Sequence, residues 1–342
     1  MTTTPLNLAN IEKAAHSIDP VFLHSPQYED EALNAALGRR VLVKVETANP
    51  IRSFKGRGAD FLARSLDPKQ TIVCASAGNT GQALAYAGRS RGIAVEVFAA
   101  TDANPAKVDR MRSLGARVTL AGADFDAAKQ LARRHAADHP NCVFVEDGAD
   151  DAITEGAGTI AVELLAAGTI DAVVVPLGDG ALITGIAAWI KDRSPRTQII
   201  GVCAEGSPAM LHAWTEARRV PHVSGVPHVS PPLRDMGEIN MGEINRSNVP
   251  EPARTIADGI AVTAPVPKAV VRMKDLVDDI VLVPDDALIE AMRLSASTLG
   301  LLLEPAGAAG LAAIQRHNLP GERLATILTG SNVHPGMLAR TV

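Results

Sequence analysis

Asn49-Pro50-Ile51-Arg52-Ser53-Phe54-Lys55-Gly56-Arg57-Gly58-Ala59 follows directly on the apolar run Arg40–Val45. A short Val- and Leu-rich run, a Pro-bearing turn, then glycine and small residues at helical spacing read as a strand turning into a helix. Lys55 stands where that helix opens. A helix N-terminus disfavours a cation and so favours the neutral amine that a covalently reacting lysine needs.

The same junction recurs in both directions along the chain. Arg40–Val45, Thr71–Ala75, Ala94–Ala99, Arg117–Ala121, Val143–Val145, Ala172–Pro176, Gln198–Val202 and Leu324–Leu328 read as strands. They are continuously apolar rather than alternating, as strands covered on both faces are. Gly56–Ser65, Thr80–Arg91, Ala106–Leu114, Asp126–His139, Gly156–Ala167, Thr184–Asp192, Asp285–Leu299 and Gly307–Arg316 read as helices. Alternation of this kind predicts an α/β fold with mostly parallel, twisted sheets and right-handed crossovers. The length of 342 residues fits two domains at about 150 residues each.

Four groups of residues carry the chemistry, the last of them made of two stretches near the end of the chain. Besides the lysine segment, Ser76-Ala77-Gly78-Asn79-Thr80-Gly81-Gln82 offers consecutive backbone N–H groups at a helix start, which is an anion seat. Pro176-Leu177-Gly178-Asp179-Gly180-Ala181-Leu182 is a second such turn; it lacks the third glycine of a dinucleotide fingerprint, because Ile183 stands there. Glu304-Pro305-Ala306-Gly307-Ala308-Ala309 and Leu328-Thr329-Gly330-Ser331-Asn332 complete the set. Each has an ordinary structural explanation: a solvated lysine, a capped turn, a threonine ending a strand. Their common place at the carboxyl ends of successive strands, where open parallel sheets bind ligands, favours a site.

Composition narrows the function classes. Hydrophobic residues make up 46% and charged residues 21% of the chain, and aromatics only 3%, so an aliphatic core is expected throughout. A net charge of −5, two Tyr, two Trp and no basic run argue against nucleic acid as a partner. No signal peptide and no apolar run long enough to span a bilayer are visible, so no membrane is expected and a cytoplasmic enzyme is. Cys74, Cys142 and Cys203 read as unpaired thiols of a reducing compartment. Residues 218–254 form an irregular, Pro-rich insertion carrying His222 and His228, with Met236–Asn240 repeated as Met241–Asn245; a local duplication in a surface loop explains it.

The chain resembles the fold-type-II pyridoxal-phosphate enzymes, within them the threonine/serine dehydratase and serine racemase group. The resemblance rests on Lys44-Val45-Glu46, Pro50, Ser53–Ala59, Ser76–Gln82, Gly178–Leu182, Thr255–Gly259, Glu304–Ala308 and Thr329–Asn332, and spans about residues 15 to 335. It implies two three-layer αβα domains, tryptophan-synthase-β-like: a large domain of residues 1–69 and 148–342 and a small domain of residues 70–147. It implies that Lys55 carries pyridoxal 5′-phosphate as a Schiff base and acts as base at Cα. It gives Phe54 packing beside the ring, Asn79 a hydrogen bond to the ring hydroxyl, and Thr329 one to the ring nitrogen. Gly178, Asp179, Gly180, Ala181 and Leu182 would hold the phosphate, with Gly259 and Glu304 also in the cofactor site. Ser76, Ala77, Gly78, Asn79 and Thr80 would hold the substrate carboxylate, with Ser76 also a catalytic candidate. A small-amino-acid substrate and a homodimer are implied too.

Three departures from that group stand out. Ala77 replaces the serine that would move the opposite-face proton in a racemase, and a methyl cannot donate one. Asp179 replaces a phosphate-loop glycine. The group's cation site for Mg²⁺ or Ca²⁺ would use Glu205 and the Ala209 carbonyl, but Leu211 stands where a further carboxylate belongs. The activity implied is dehydration and deamination of a small 3-hydroxy amino acid such as threonine or serine. The alternatives are β-replacement on the same scaffold and a non-catalytic ligand-binding homologue. No regulatory domain is expected after Asn332.

Overall fold

The computed structural model describes residues 5–219, 253–334, 336, 337 and 339. In chain order its elements begin α1 (Leu8–Ser17), β1 (Gln27–Glu29), α2 (Glu31–Leu37), β2 (Arg40–Val45), α3 (Lys55–Ala63) and β3 (Thr71–Ala75). They continue with α4 (Asn79–Arg91), β4 (Ala94–Ala99), α5 (Pro105–Ser113), β5 (Arg117–Leu120), α6 (Phe125–Asp138), β6 (Cys142–Val145) and α7 (Asp151–Leu165). Then come β7 (Ala172–Pro176), α8 (Ala181–Arg193), β8 (Gln198–Ala204), α9 (Ala209–Arg219), α10 (Pro267–Leu276), β9 (Asp279–Val283), α11 (Asp285–Leu299), α12 (Pro305–Arg316) and β10 (Arg323–Leu328).

Two sheets result. The larger runs β1-β2-β10-β7-β8-β9, parallel except for the antiparallel edge strand β1. The smaller runs β5-β4-β3-β6 and is wholly parallel. All four of its strands fall between Thr71 and Val145. Each sheet carries helices on both faces. On the larger, residues of α11 and α12 pack on one side and residues of α7, α8, α9 and α10 on the other. On the smaller, α3, α4 and α5 cover one face and α6 the other. Burial on both faces explains the unbroken apolar runs: all five residues of β7 are buried.

Glycine lets the helices under the site approach backbone to backbone. A Cβ on Gly58 of α3 would stand 2.5 Å from the Ile153 carbonyl oxygen of α7, and one on Gly156 of α7 would stand 2.7 Å from the Arg57 carbonyl oxygen. No side chain fits between α3 and α7, which fixes the start of α3 relative to the larger sheet.

Strands β2, β3, β4 and β7 occupy the expected residues. The sequence pattern does not signal β1, β9, α1, α2, α9 or α10. Strand β1 has only three residues, Gln-Tyr-Glu, and α2 only seven, too few to establish a period. Helix α3 starts at Lys55 itself, one residue before the expected Gly56. Arg218 and Arg219 belong to the end of α9, so the irregular insertion does not begin at 218. The remainder of that insertion up to Pro252, with His222, His228 and the Met236–Asn245 duplication, lies outside the described residues. Among the described residues no helix is long and apolar enough to cross a membrane. Cys74, Cys142 and Cys203 are unpaired, and burial pushes the thiols of Cys74 and Cys203 up to about 12.

Candidate active site

The start of α3 and the carboxyl ends of β3, β6, β7 and β10 converge on a cavity of about 400 Å³ between the two sheets. Lys55, Ser76 to Thr80, Gly178 to Leu182, Gly259, Glu304 and Thr329 all line it. Loops far apart along the chain thus meet where the strand ends predict they should.

Local chemistry holds Lys55 in place. Asn49 Oδ1 accepts from the N–H groups of Ile51 (3.1 Å) and Ser53 (3.4 Å), and its Nδ2 donates to the carbonyls of Glu46 (2.8 Å) and Ser53 (3.1 Å). This staples a turn in which Arg52 adopts φ +56. The Phe54 N–H donates to the Thr329 carbonyl over 3.0 Å, tying the lysine to the end of β10. Just inside α3, fully buried Arg57 donates to both Glu46 oxygens at 2.8 Å and to Glu163 at 2.6 and 3.0 Å. Lys44 joins the same group through Glu163. Burial acts against Glu163's charge, but Arg57 and Lys44 outweigh it and hold the carboxyl down to about 2. This ionic cluster reaches within two residues of the lysine and anchors the helix that carries it.

The Lys55 amine lies 4.8 Å from the centre of the Phe54 ring and pairs with Asp147. Sequence reasoning missed Asp147. The signal available was its position two residues past β6, at a strand's carboxyl end. Its second oxygen, Oδ1, is buried with no hydrogen-bond partner.

Ser76 is buried, and its Oγ accepts from the N–H groups of Gly78 (3.1 Å) and Gly81 (2.9 Å). It thereby shapes the loop that opens α4. The loop's N-cap, Gly78, makes no side-chain capping bond. Asn79 is held from two sides: its Nδ2 donates to Glu304 Oε1 over 2.6 Å, and its Oδ1 accepts from Asn332 Nδ2 over 2.7 Å. Burial, then the nearby charge of Asp258, push the Glu304 carboxyl up to about 7. Asn332 is a second group with a place in the site that sequence alone had only in a motif.

Gly178 and Gly180 form a cradle. A Cβ on Gly178 would meet the Gly259 carbonyl oxygen at 2.8 Å, and one on Gly180, at φ +94, would meet Ala269 Cβ at 2.9 Å. Gly180 caps α8 without a side chain, leaving the helix's first N–H groups free for an anion. Asp179 also lines the cavity. Two ion pairs cross the cavity wall, Lys107 with Asp258 and Lys129 with Glu146 (2.9 Å). Glu205 and Ala209 precede and begin α9 and do not line this cavity. Among the described residues no three His, Cys, Asp or Glu side chains gather as a metal site would require.

A family model described as pyridoxal-phosphate dependent enzyme matches residues 22–330. The L-threonine ammonia-lyase of Thermotoga maritima is 29% identical over 342 residues, covering 98% of this chain and 78% of that protein. The biosynthetic L-threonine dehydratase of Escherichia coli is 32% identical over 318 residues, covering 91% of this chain but only 56% of that longer protein. Among solved structures, a threonine deaminase from T.th. superposes with a TM-score of 0.80 at 29% identity, covering 96% of this chain and 99% of that one.

Proposed function

The chain belongs to the pyridoxal-phosphate dependent enzymes, and from that premise we propose that it dehydrates and deaminates a small 3-hydroxy amino acid such as threonine or serine, giving a 2-oxo acid and ammonia. The observation that carries the reading is the placement of the Lys55 amine in a cavity that also takes in the starts of two helices, α4, whose first turn Ser76 holds, and α8, which no side chain caps. One start suits a substrate carboxylate and the other a phosphate.

The residues present fit the cofactor. Lys55 offers a primary amine for the covalent link, and the start of α8, which no side chain caps, turns its first N–H groups to the cavity where a phosphate would be held. Thr329 Oγ1 lies buried at the end of β10, with only a long 3.4 Å contact to the Ala306 carbonyl, and so has capacity to spare for a ring nitrogen. Pyridoxal 5′-phosphate, when bound, supplies an electron sink for the carbanion at the substrate Cα.

The protein's own residues do the rest. The backbone N–H groups of Ala77, Asn79 and Thr80 bind and orient the substrate carboxylate, with Ser76 holding their loop in shape through the Gly78 and Gly81 N–H groups. The Lys55 amine, which would hold the cofactor at rest, is the group placed to take the Cα proton. Asn79 presents its remaining amide hydrogen to the cavity, because Glu304 and Asn332 have fixed which way the amide faces. Thr329 is a neutral partner and cannot hold a ring nitrogen protonated as a carboxylate would, which favours prompt loss of a β-leaving group over transamination. Gly259 closes the cavity wall beside Glu304, and Phe54 packs against the lysine. The site takes a small amino acid and no nucleic acid; the protein acts in the cytoplasm, as a homodimer with residues 70–147 as its small domain.

Borohydride reduction of the cofactor-loaded protein followed by peptide mass mapping tests the assignment. The pyridoxyl mass is expected on Lys55. Its appearance on another residue, or on none, overturns the reading. A panel of threo and erythro 3-hydroxy amino acids scored for 2-oxo acid then identifies the substrate.

A further inference from the structure

Two aspartates stand beside the reactive lysine that the scheme above does not use. Asp147 Oδ2 pairs with Lys55 Nζ, and the two side chains are only 9% and 16% exposed. Asp147 Oδ1 is buried and unpartnered. Asp179 also lines the cavity, from the loop before α8. It abuts the turn after Asp147: its Cβ lies 3.4 Å from where a Cβ of Gly148 would stand. The charged groups that act on Asp179 are Asp147, Lys55, Lys129 and Glu146. Lys55 is committed to Asp147 and Lys129 to Glu146. The Asp179 side chain itself has no hydrogen bond or ion pair among the described residues. Burial first, then the charge of Asp147, push its carboxyl up to about 6, so it takes up a proton more readily than an ordinary aspartate.

A hydroxyl is a poor leaving group unless it is protonated as it departs. Resting on the dehydratase reading, we propose that Asp179 is the acid that protonates the departing β-hydroxyl, and that Asp147 relays the Cα proton from Lys55 back to it. The step balances. The Lys55 amine takes the Cα proton; the Cα–H electron pair becomes the Cα=Cβ bond. As the Cβ–O bond breaks, its electron pair stays with oxygen, which takes the Asp179 proton and leaves as water. The Lys55 ammonium gives its proton to Asp147, its ion-pair partner, and Asp147 passes it to Asp179. Lysine is neutral and Asp179 protonated again, and no oxidant or co-reactant is consumed. The departure from a glycine at position 179 is then a functional one.

The test compares leaving groups in the cofactor-loaded protein. Chloride departs without a proton, so β-chloro-L-alanine needs no acid where L-serine does. Asp179→Asn is expected to slow elimination from serine by about 100-fold or more and from β-chloroalanine by less than about 10-fold. Equal losses on both substrates overturn the proposal and leave the dehydratase reading intact. Turnover of β-chloroalanine by the wild type without turnover of any 3-hydroxy amino acid overturns both. A readout independent of turnover is isotope-edited infrared spectroscopy of the cofactor-free protein. A carboxyl band titrating near pH 6 is expected, absent in Asp179→Asn and shifted to lower pH in Asp147→Asn. A wild type without that band, or one that Asp147→Asn leaves unmoved, counts against the relay.

Discussion

The Asn79 amide donates to Glu304 Oε1 over 2.6 Å, joining the first residue of α4 to the residue before α12. One contact thereby links the small sheet's first crossover to the large sheet's last. Asn332 takes up the other end of the same amide. Asn79 therefore cannot flip without losing two hydrogen bonds, each worth about 1 kcal/mol net.

Glu304 should make stability depend on pH. Its folded carboxyl sits near 7 against an ordinary 4.5, so the stability it contributes is full below about 4.5 and is lost as pH rises through about 7. The loss amounts to roughly 3 kcal/mol for a shift of this size in a buried group. Glu304→Gln carries no such titration. Denaturation of both proteins at pH 5 and pH 8 should show the variant gaining on the wild type at the higher pH. A difference independent of pH would refute the placement of a buried, protonatable carboxyl here.

The ionic cluster under α3 gives the opposite sign. Glu163 is held down to about 2, so its contribution is present above about 4.5 and disappears as pH falls toward 2. Glu163→Gln should flatten the acid limb of the stability curve. Arg57→Met should be costlier, at about 3–5 kcal/mol, because it leaves Glu46 and Glu163 buried with Lys44 as the remaining cation. Urea denaturation at pH 7 measures it; a loss below about 1 kcal/mol would mean the cluster is solvated.

Gly148→Ala should destabilise by roughly 1–3 kcal/mol. Gly148 sits at φ +78, and a Cβ there would run into the Asp179 carbonyl oxygen. Relief of that clash must move the 178–180 cradle. Weaker retention of pyridoxal phosphate on dialysis should accompany the lower stability, and unchanged values of both would contradict the close approach of the two loops.

Ala77 lines the cavity and has no proton to give. The wild type is expected to form no D-isomer from L-serine, as followed by chiral chromatography. Ala77→Ser introduces a hydroxyl on the loop and should yield detectable D-serine. D-serine from the wild type would show that some other group reaches the second face.

Much of this is legible in the linear chain. Continuous apolar runs such as Ala172–Pro176 suit strands buried on both faces, so β2, β3, β4 and β7 are readable to the residue. The four groups that bear chemistry show it in local composition: small residues, glycine and a lysine at helix starts. Short or edge elements are not legible, because β1 and α2 contain too few residues to display a period. Asp147 escapes notice because a single acidic residue after a strand carries no pattern. Its meaning comes from standing against Lys55, 92 residues earlier in the chain.

The sequence by itself determined the alternating α/β order, the strand ends at which ligand groups would gather, and the lysine on which the chemistry turns. Those follow from hydrophobic period and backbone preference, which act over a few neighbouring residues. Only the tertiary structure decided which charges face one another: Lys55 against Asp147, Asp179 beside their turn, Glu304 behind Asn79. Electrostatic and hydrogen-bonding partners are chosen by proximity in space, and burial then decides how strongly each charge is felt. Neither quantity exists until the two sheets have closed around the cavity.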